Sequence, residues 1–347
     1  MAAIAPSSGR FTATLVLLLF ALAMLATAAV SMTLGTSISL PDCLREQADL
    51  LACRTVLLDL RLPRTLLALA AGATLAQAGV ALQALFRNPL ADVALLGVSG
   101  GAALGAALWM VALPLVTLPA MLADLASTGS LPLAAGLGAL AAVGLVLGLA
   151  RRSGRTELSA LLLAGIAVNA FAGAGLALIQ TLASDRALRN LTGWLYGNLG
   201  RADWPSLSLG IALLGVAVLV LAAQARQLDV LLLGEIAAQH LGIDPERLKR
   251  RLLAAVIVIA AVTVSLAGII GFVGLIVPHL LRGLFGARHA WLMPASALAG
   301  ATLLCAADAL ARSVAAPLEL PVGIITALLG VPVLVALLAR HRTVGLG

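Results

Sequence analysis

Residues 131–150 read LPLAAGLGALAAVGLVLGLA, an uninterrupted run without a charged side chain. A helix needs about 20 apolar residues to cross the hydrocarbon core of a bilayer, and this run is long enough. Of the 347 residues in the chain, 62% are hydrophobic and 11% are charged, whereas soluble domains are about 45–50% apolar and about 25% charged. Because a water-soluble fold cannot bury so many apolar side chains, the sequence predicts an all-α polytopic membrane protein.

The same length criterion finds nine further spans, so we expect about ten transmembrane helices in one domain that covers residues 1–347. The apolar run of the first span, residues 11–30, is longer than the roughly 7–15 residues of a signal-peptide core, which favours a retained helix. The predicted spans are 11–34, 63–85, 93–113, 131–150, 158–182, 206–224, 252–268, 270–285, 291–311 and 321–339.

Basic residues predict the orientation of these helices. With a cytoplasmic N-terminus, the inner loops hold fourteen lysines and arginines and the outer segments hold eight, a bias that favours both termini inside. The formal net charge of +7 is therefore attributed to topology and not to nucleic-acid binding, since 3% aromatic residues are too few for a base-stacking surface. The eight outer bases are Arg45, Arg54, Arg61, Arg64, Arg186, Arg189, Arg201 and Arg312.

The lysine and cysteine positions exclude two kinds of site. The chain has one lysine, Lys249. No glycine-rich stretch precedes it and no Ser or Thr follows it, so it cannot be the lysine of a nucleotide-binding P-loop. The three cysteines lack metal-ligand spacing. Cys43 and Cys53 share a predicted outer segment, where either a disulfide or two free thiols could exist.

A pair of arginines stands at the outer start of the second span. Arg61 and Arg64 lie three residues apart and share one helix face, and Pro63 suits the first helical turn. The arginines could reach lipid phosphates. Because the charge bias disfavours bases on this side, they instead suggest a docking site for acidic groups.

The longest inner loop, residues 225–250, has an amphipathic pattern. Leu232, Ile236 and His240 recur every four residues, and Gly242 can end a short helix before Asp244-Pro245 begins another. Two short helices at a membrane surface suit the groove of a partner protein. The alternative is a helix that lies on lipid headgroups.

Two further patterns have both a functional and a structural interpretation. Pro278 and His279 fall within a span, where an ionisable residue can be functional or can satisfy the backbone at a proline kink. Ala78-Gly79, Pro89 and Gly97 recur as Ala267-Gly268, Pro278 and Gly286 at a constant offset of 189 residues. This recurrence suggests an inverted-topology repeat, as in many transporters, although small residues also recur by chance.

In combination, these segments resemble the permease subunits of type II ABC importers, the FecCD/BtuC-like family that moves ferric siderophores, cobalamin and haem. The resemblance runs from about residue 50 to residue 342. The matching motifs are residues 61–64 (RLPR), 83–92 (QALFRNPLAD), 96–102 (LGVSGGA), 163–167 (LAGIA), 233–242 (LGEIAAQHLG), 271–282 (GFVGLIVPHLLR), 308–312 (DALAR) and 319–323 (ELPVG).

The resemblance implies a BtuC-like homodimer in the bacterial inner membrane that works by alternating access. It implies two cytoplasmic ATPase subunits, which would use ATP and Mg²⁺, and a periplasmic substrate-binding protein. The chain itself would be a transporter subunit without catalytic residues, a metal site or a tightly bound cofactor. Residues 188–200 (LRNLTGWLYGNLG) and 57–61 (LLDLR) are most similar to the haem branch. Haem is therefore the expected transported substrate, and a ferric siderophore and cobalamin are the alternatives.

The same resemblance assigns roles to individual residues. Arginines of the outer motifs would meet glutamates of the binding protein, and those arginines are Arg61, Arg64 and Arg312. Asp308 lies one helical turn before Arg312 and could pair with it. ATPase coupling would fall to Leu232, Gly234, Glu235, Ala238 and Gly242, and the pathway or gate to Asn169, Gln180, Trp194 and Tyr196.

Two other classes of protein are considered on the residues alone. Residues 97–100 (GVSG) match the serine motif of rhomboid intramembrane proteases, with His279 as the base, but ten spans exceed the core of that fold. A proton-driven secondary transporter needs buried carboxylates, and the spans offer almost none besides Asp308.

Overall fold

The computed structural model describes residues 6–34, 49–112, 130–152, 155–286 and 288–344 of the chain. Helices dominate these residues, which confirms the all-α fold class. Seven of the described helices are long and apolar enough to cross a membrane, and three shorter apolar helices accompany them. Each of the ten overlaps one of the ten predicted spans.

We number the described helices in chain order. They are α1 (Pro6–Thr33), α2 (Leu50–Arg54), α3 (Leu62–Leu85), α4 (Val98–Ala107), α5 (Leu131–Ala150), α6 (Leu158–Thr181), α7 (Asp185–Leu195), α8 (Trp204–Ala223), α9 (Ala225–Leu231), α10 (Glu235–His240), α11 (Pro245–Ala267), α12 (Val273–Phe285), α13 (His289–Ser313) and α14 (Val322–Val344). "Outer end" and "inner end" denote the sides that the charge bias predicts to be periplasmic and cytoplasmic.

Short irregular elements connect these helices. A π-helical stretch, Thr55–Arg61, joins α2 to α3, and a second, Leu108–Ala112, continues α4. Two 3-10 turns cover Val93–Leu96 and Leu199–Arg201. Strands β1 (Arg151–Arg152) and β2 (Arg155–Thr156) form a minimal antiparallel hairpin at the inner end.

Local capping divides one predicted span and joins another to the helix that precedes it. The span predicted to begin at residue 93 is divided at Gly97, whose φ of 79° ends the 3-10 turn before α4 begins. Helix α11 begins at Pro245, where the sequence predicts a helix start, and the Asp244 side chain caps it by accepting hydrogen bonds from the N–H groups of Glu246 and Arg247. The same helix continues without a break into the span predicted from residue 252. Residues 245–250 of the predicted inner loop therefore belong to α11, and we call residues 225–242 the coupling segment.

The predicted division between the spans 252–268 and 270–285 is a genuine helix break between α11 and α12. Gly268 and Phe272 both have positive φ, 73° and 70°, so the chain leaves the helical conformation between them. A Cβ on Gly268 would overlap the carbonyl oxygen of Trp194, which explains why glycine stands there. The break therefore separates α11 and α12 into the two predicted spans.

Helix α3 occupies the centre of the bundle and α1 its edge. In the most apolar window of each span, 78% of the residues are buried for the span Leu51–Leu85, which contains α3, but only 6% are buried for the span Thr12–Thr33 of α1. Helix α3 packs most extensively against α13, where Gly72 and Gly300 lie so close that a Cβ on either would overlap the other's carbonyl oxygen. A Cβ on Gly79 would likewise overlap the carbonyl oxygen of Gly274 in α12. Small residues thus bring helix backbones into direct contact.

The cysteines have different states. Cys53 is disulfide-bonded, and Cys305 in α13 is a buried free thiol. Cys43, the other half of the predicted outer pair, lies outside the described residues.

Candidate sites at the two ends of the helix bundle

A buried carboxylate joins two of the predicted docking arginines at the outer end. Asp308 is 1% exposed, and its oxygens lie 3.0 Å from Arg64 Nη2 and 3.1 Å from Arg312 Nε. Arg64 also donates from Nε to both oxygens of Asp308, at 3.1 and 3.2 Å. Its Nη1 donates to Glu319 at 2.8 Å, and Glu319 is 48% exposed. The pairing of Asp308 with Arg312 agrees with the prediction, and Glu319 is a partner that the sequence did not predict.

Two of the predicted docking arginines, Arg61 and Arg312, cap the outer end of α1. Arg61 Nη1 donates to the carbonyl of Met32 at 2.9 Å, and Arg312 Nη1 donates to that of Leu34 at 2.8 Å. Arg312 Nη2 donates to the hydroxyl of Ser31 at 2.7 Å. The last four carbonyls of a helix lack partners within it, and cations are favourable at that end of the helix dipole. The two guanidinium groups therefore hold the outer end of α1 against α13 and against the π-helical stretch that leads into α3.

The structure thus brings the three predicted docking arginines together but leaves little of them accessible. Arg61 and Arg312 are each 5% exposed and the Arg64 side chain is 12% exposed. Four other outer arginines have exposed side chains for which the described residues provide no hydrogen bond or ion pair: Arg54, Arg186, Arg189 and Arg201. Arg186 and Arg189 are three residues apart on α7. Together they place two exposed cations on one helix.

At the inner end, the coupling segment borders an open groove of about 750 Å³. Phe86 and Arg87 at the end of α3 contribute to one wall, and α10 with Lys249 contributes to another. Leu233 and Ile236 are 70% and 74% exposed on the segment itself. Exposed apolar side chains with a polar surround are typical of protein interaction sites. The sequence pattern identified Ile236 as part of an amphipathic helix but did not identify Leu233.

The predicted coupling residues have distinct structural roles. Gly234 and Gly242 have φ values of 121° and 81° with open space beside them, so backbone conformation and not crowding requires glycine. Ala238 is fully buried and Leu232 is half-buried, so both pack on the side of the segment that faces the protein interior. Glu235 is exposed and forms a 2.9 Å ion pair with Lys249.

Polar contacts fasten the coupling segment to three membrane helices. Lys249 of α11, 4% exposed, binds Glu235 and also Glu246 at 2.9 Å. Arg87, just after α3, donates from Nη2 to the carbonyl of Leu231 at 3.1 Å. The third contact joins Asp229 of α9 to the first residue of α13, His289, at 2.6 Å. The lone lysine of the chain is therefore part of this attachment.

The four predicted pathway residues are in different environments. Asn169 of α6 donates from Nδ2 to the carbonyl of Ala94 and accepts from the N–H of Gly100, so it joins α6 to the start of α4. Trp194 is buried, Gln180 is half-buried and Tyr196 is 53% exposed.

Asp92 is a titratable group in the loop between α3 and the first 3-10 turn. Burial raises the pKa of its carboxyl group above the usual value, and hydrogen bonds from the N–H groups of Ala94 and Val93 oppose that rise. The side chain also caps the turn, because Oδ1 accepts from Ala94 N at 3.0 Å. Among the residues that the structure describes, no group of three or more His, Cys, Asp or Glu side chains could hold a metal ion.

Comparison with known proteins identifies similar chains of established class. Residues 13–340 match the FecCD transport family. The hemin transport system permease protein of Yersinia pestis is 43% identical over 82% of this chain and 83% of its own. The cobalamin import system permease protein of Halobacterium salinarum is 44% identical over a region that covers 82% of this chain and 73% of that protein. A solved inward-facing structure of a metal-chelate type ABC transporter superposes with a TM-score of 0.80 at 31% identity, covering 93% of this chain and 98% of that one.

Proposed function

Because this chain belongs to the FecCD transport family and is a permease subunit of an ABC importer, we propose that it moves haem across the bacterial inner membrane. Transport would be driven by two ATPase subunits bound to the inner end of a permease homodimer. A periplasmic binding protein would deliver haem to the outer end. The chain itself is not an enzyme, so ATP and Mg²⁺ would be used by the ATPase subunits.

The exposed arginines of α7 carry the proposal of haem as cargo. Haem has two carboxylate groups, and Arg186 and Arg189 present two exposed cations that have no ion-pair partner among the described residues. Guanidinium groups suit carboxylates because they donate two parallel hydrogen bonds. The similarity to the hemin permease of Yersinia pestis supports the same cargo. Cobalamin is the second candidate, because cobalamin permeases are similarly close to this chain. A ferric siderophore is the third.

Transport in proteoliposomes tests the cargo directly. The permease would be reconstituted with its ATPase and binding protein, and the uptake of haem, cobalamin and a ferric hydroxamate would be compared with and without ATP. We expect ATP-dependent accumulation of haem. Accumulation of cobalamin or the ferric hydroxamate without haem would contradict the proposal.

Docking of the binding protein is proposed at the Arg64 side of the outer cluster. Of the three motif arginines, Arg64 has the largest exposure, and one of its two partners is the exposed carboxylate of Glu319. A glutamate of the binding protein could replace Glu319 without disturbing Asp308. Arg61 and Arg312 would contribute by holding α1 and the network in place, since their side chains bind main-chain carbonyls.

Docking of the ATPase is proposed at the groove beside the coupling segment. Leu233 and Ile236 would enter a cleft of the ATPase, where burial of apolar surface contributes roughly 25 cal/mol per Å². The conformation and burial of five other residues suit them to maintain the shape of the segment. These residues are Leu232, Gly234, Glu235, Ala238 and Gly242. Movement of the ATPase subunits would then shift the permease helices between inward-facing and outward-facing states.

A further inference from the structure

Two hydrogen bonds between Asp229 and His289 fix both the distance and the relative orientation of the two residues. A single carboxylate oxygen, Asp229 Oδ1, accepts from the backbone N–H of His289 at 2.9 Å and from Nδ1–H of its ring at 2.6 Å. His289 is fully buried, and its N–H is one of the four that a helix cannot satisfy internally. A carboxylate is also favourable at the positive end of the α13 dipole. Helix α9 is therefore held rigidly to the start of α13.

The other two attachments of the coupling segment restrain it less. Lys249 binds Glu235 but has Glu246 as a second partner at the same distance, so it stays paired if Glu235 moves. Arg87 donates one hydrogen bond to the carbonyl oxygen of Leu231, and a carbonyl accepts over a broad range of directions. The contact with α13 is thus the attachment with the most defined geometry.

Helix α13 is joined to α3 along its length. Near the middle, Gly72 and Gly300 are in backbone contact, which leaves no space for one helix to move towards the other. At the outer end, Arg64 of α3 and Asp308 of α13 form the 3.0 Å buried ion pair. Closely packed interfaces have low compressibility and transmit displacement. The two helices therefore form one body that extends from His289 to the outer cluster.

We propose that Asp229 and His289 are positioning residues that transmit movement of the coupling segment to the α3–α13 pair and so to the outer cluster. This inference rests on the proposed function, since it requires an ATPase that moves the segment. It assigns to the pair a part in transport beyond ATPase binding, because His289 is fully buried; the Asp229 side chain is 38% exposed, so the His289 variant is the one that excludes direct contact with the ATPase.

The test measures coupling in the complete complex. Permease, ATPase and binding protein would be reconstituted, and the ratio of cargo taken up to ATP hydrolysed would be determined for the wild type, Asp229→Ala, Asp229→Asn and His289→Gln. Asp229→Ala removes both hydrogen bonds, whereas Asp229→Asn retains a neutral acceptor. We expect the ratio to fall about fivefold or more in Asp229→Ala and less in Asp229→Asn. The double variant Asp229→Asn with His289→Gln should be no worse than the poorer single variant, because the residues act as a pair.

A matched control separates coupling from general charge loss. Asp203→Asn makes the same substitution at the start of α8, where the side chain accepts from Ser206 N at 2.9 Å, and should keep the wild-type ratio. A wild-type ratio in every assembled Asp229 and His289 variant would overturn the inference, as would a ratio that falls only in step with the melting temperature. If Asp229→Ala does not assemble, Asp229→Asn and His289→Gln decide by the same criteria. Absence of ATP-driven uptake in the wild type would instead contradict the proposed function.

Discussion

Asp308 of α13 and Arg64 of α3 form a buried ion pair, with Oδ1 and Nη2 3.0 Å apart, although they are 244 residues apart in the sequence. The carboxylate is 1% exposed and also lies 3.1 Å from Arg312 Nε. One acidic side chain thereby neutralises part of the charge of two arginines that had been expected to face a partner. The consequences can be measured.

Replacement of Asp308 by asparagine should destabilise the fold. Loss of the carboxylate leaves two mostly buried guanidinium groups with reduced compensation, and breaking a buried ion pair typically costs about 3–5 kcal/mol. The free energy of unfolding in detergent micelles would show the loss. Glu319→Gln is the matched control, because its half-exposed pair with Arg64 should contribute less than about 1 kcal/mol. Equal effects of the two substitutions would contradict the buried role of Asp308.

Glu319→Gln should strengthen docking of the binding protein if Arg64 is the contact. The substitution removes an internal competitor for Arg64. Since an exposed ion pair contributes about 0.2–1 kcal/mol, the Kd of docking should fall by up to roughly fivefold. Surface-immobilised binding protein and detergent-solubilised permease would give the Kd. Weaker docking in this variant would show that Glu319 assists the partner and does not compete with it.

Gly72→Ala should separate α3 from α13. A methyl group there would overlap the carbonyl oxygen of Gly300, and overpacking of this kind costs about 1–3 kcal/mol. Gly144→Ala on α5 is the control, since nothing lies within 4 Å of its Cβ position and alanine favours a helix by up to about 1 kcal/mol. Thermal denaturation of both variants is the measurement. A Gly72→Ala protein as stable as the control would show that the helices can separate without cost.

Leu233→Ser with Ile236→Ser should weaken binding of the ATPase. Both side chains are more than two-thirds exposed in the described chain, so the substitutions should leave the melting temperature of the isolated permease nearly unchanged. Co-purification with the ATPase would be reduced, because apolar surface available for burial is lost. Leu318→Ser, 73% exposed at the outer end, is the control and should co-purify normally. A double variant that retains its full complement of ATPase would exclude this surface as the docking site.

The stability contributed by Asp92 should depend on pH. Since the pKa of its carboxyl group is raised in the folded protein, the protonated form is favoured on folding. Its contribution is therefore present below the unfolded pKa and is lost as pH rises through the folded pKa. Asp92→Asn keeps the cap on Ala94 and should be more stable than the wild type at neutral pH, with the difference decreasing on acidification. Melting temperatures of both proteins, measured from neutral to acidic pH, would reveal the trend. A difference in melting temperature that does not change with pH would contradict it.

The positions of the membrane helices were predictable because each depends on a contiguous stretch of residues. Runs such as residues 131–150 must be helical in lipid, since every backbone N–H and C=O needs a partner within the segment. The start of α11 was predictable for a local reason as well, because Asp244-Pro245 is a helix-initiating pair, whereas the continuation of that helix into the span from residue 252 was not predicted. Motifs likewise located the outer arginines and the coupling segment in the sequence.

The sequence by itself determined the class of protein, the number of spans and the family, because composition, run length and motifs are properties of the chain alone. Only the tertiary structure decided which charges are available to partners. Arg61 and Arg312 cap α1, whereas Arg186 and Arg189 stay exposed, although all four are arginines in outer segments. Ion pairs and caps require atoms within about 4 Å. Helix packing brings residues such as Arg64 and Asp308 to that distance, and no sequence periodicity relates them.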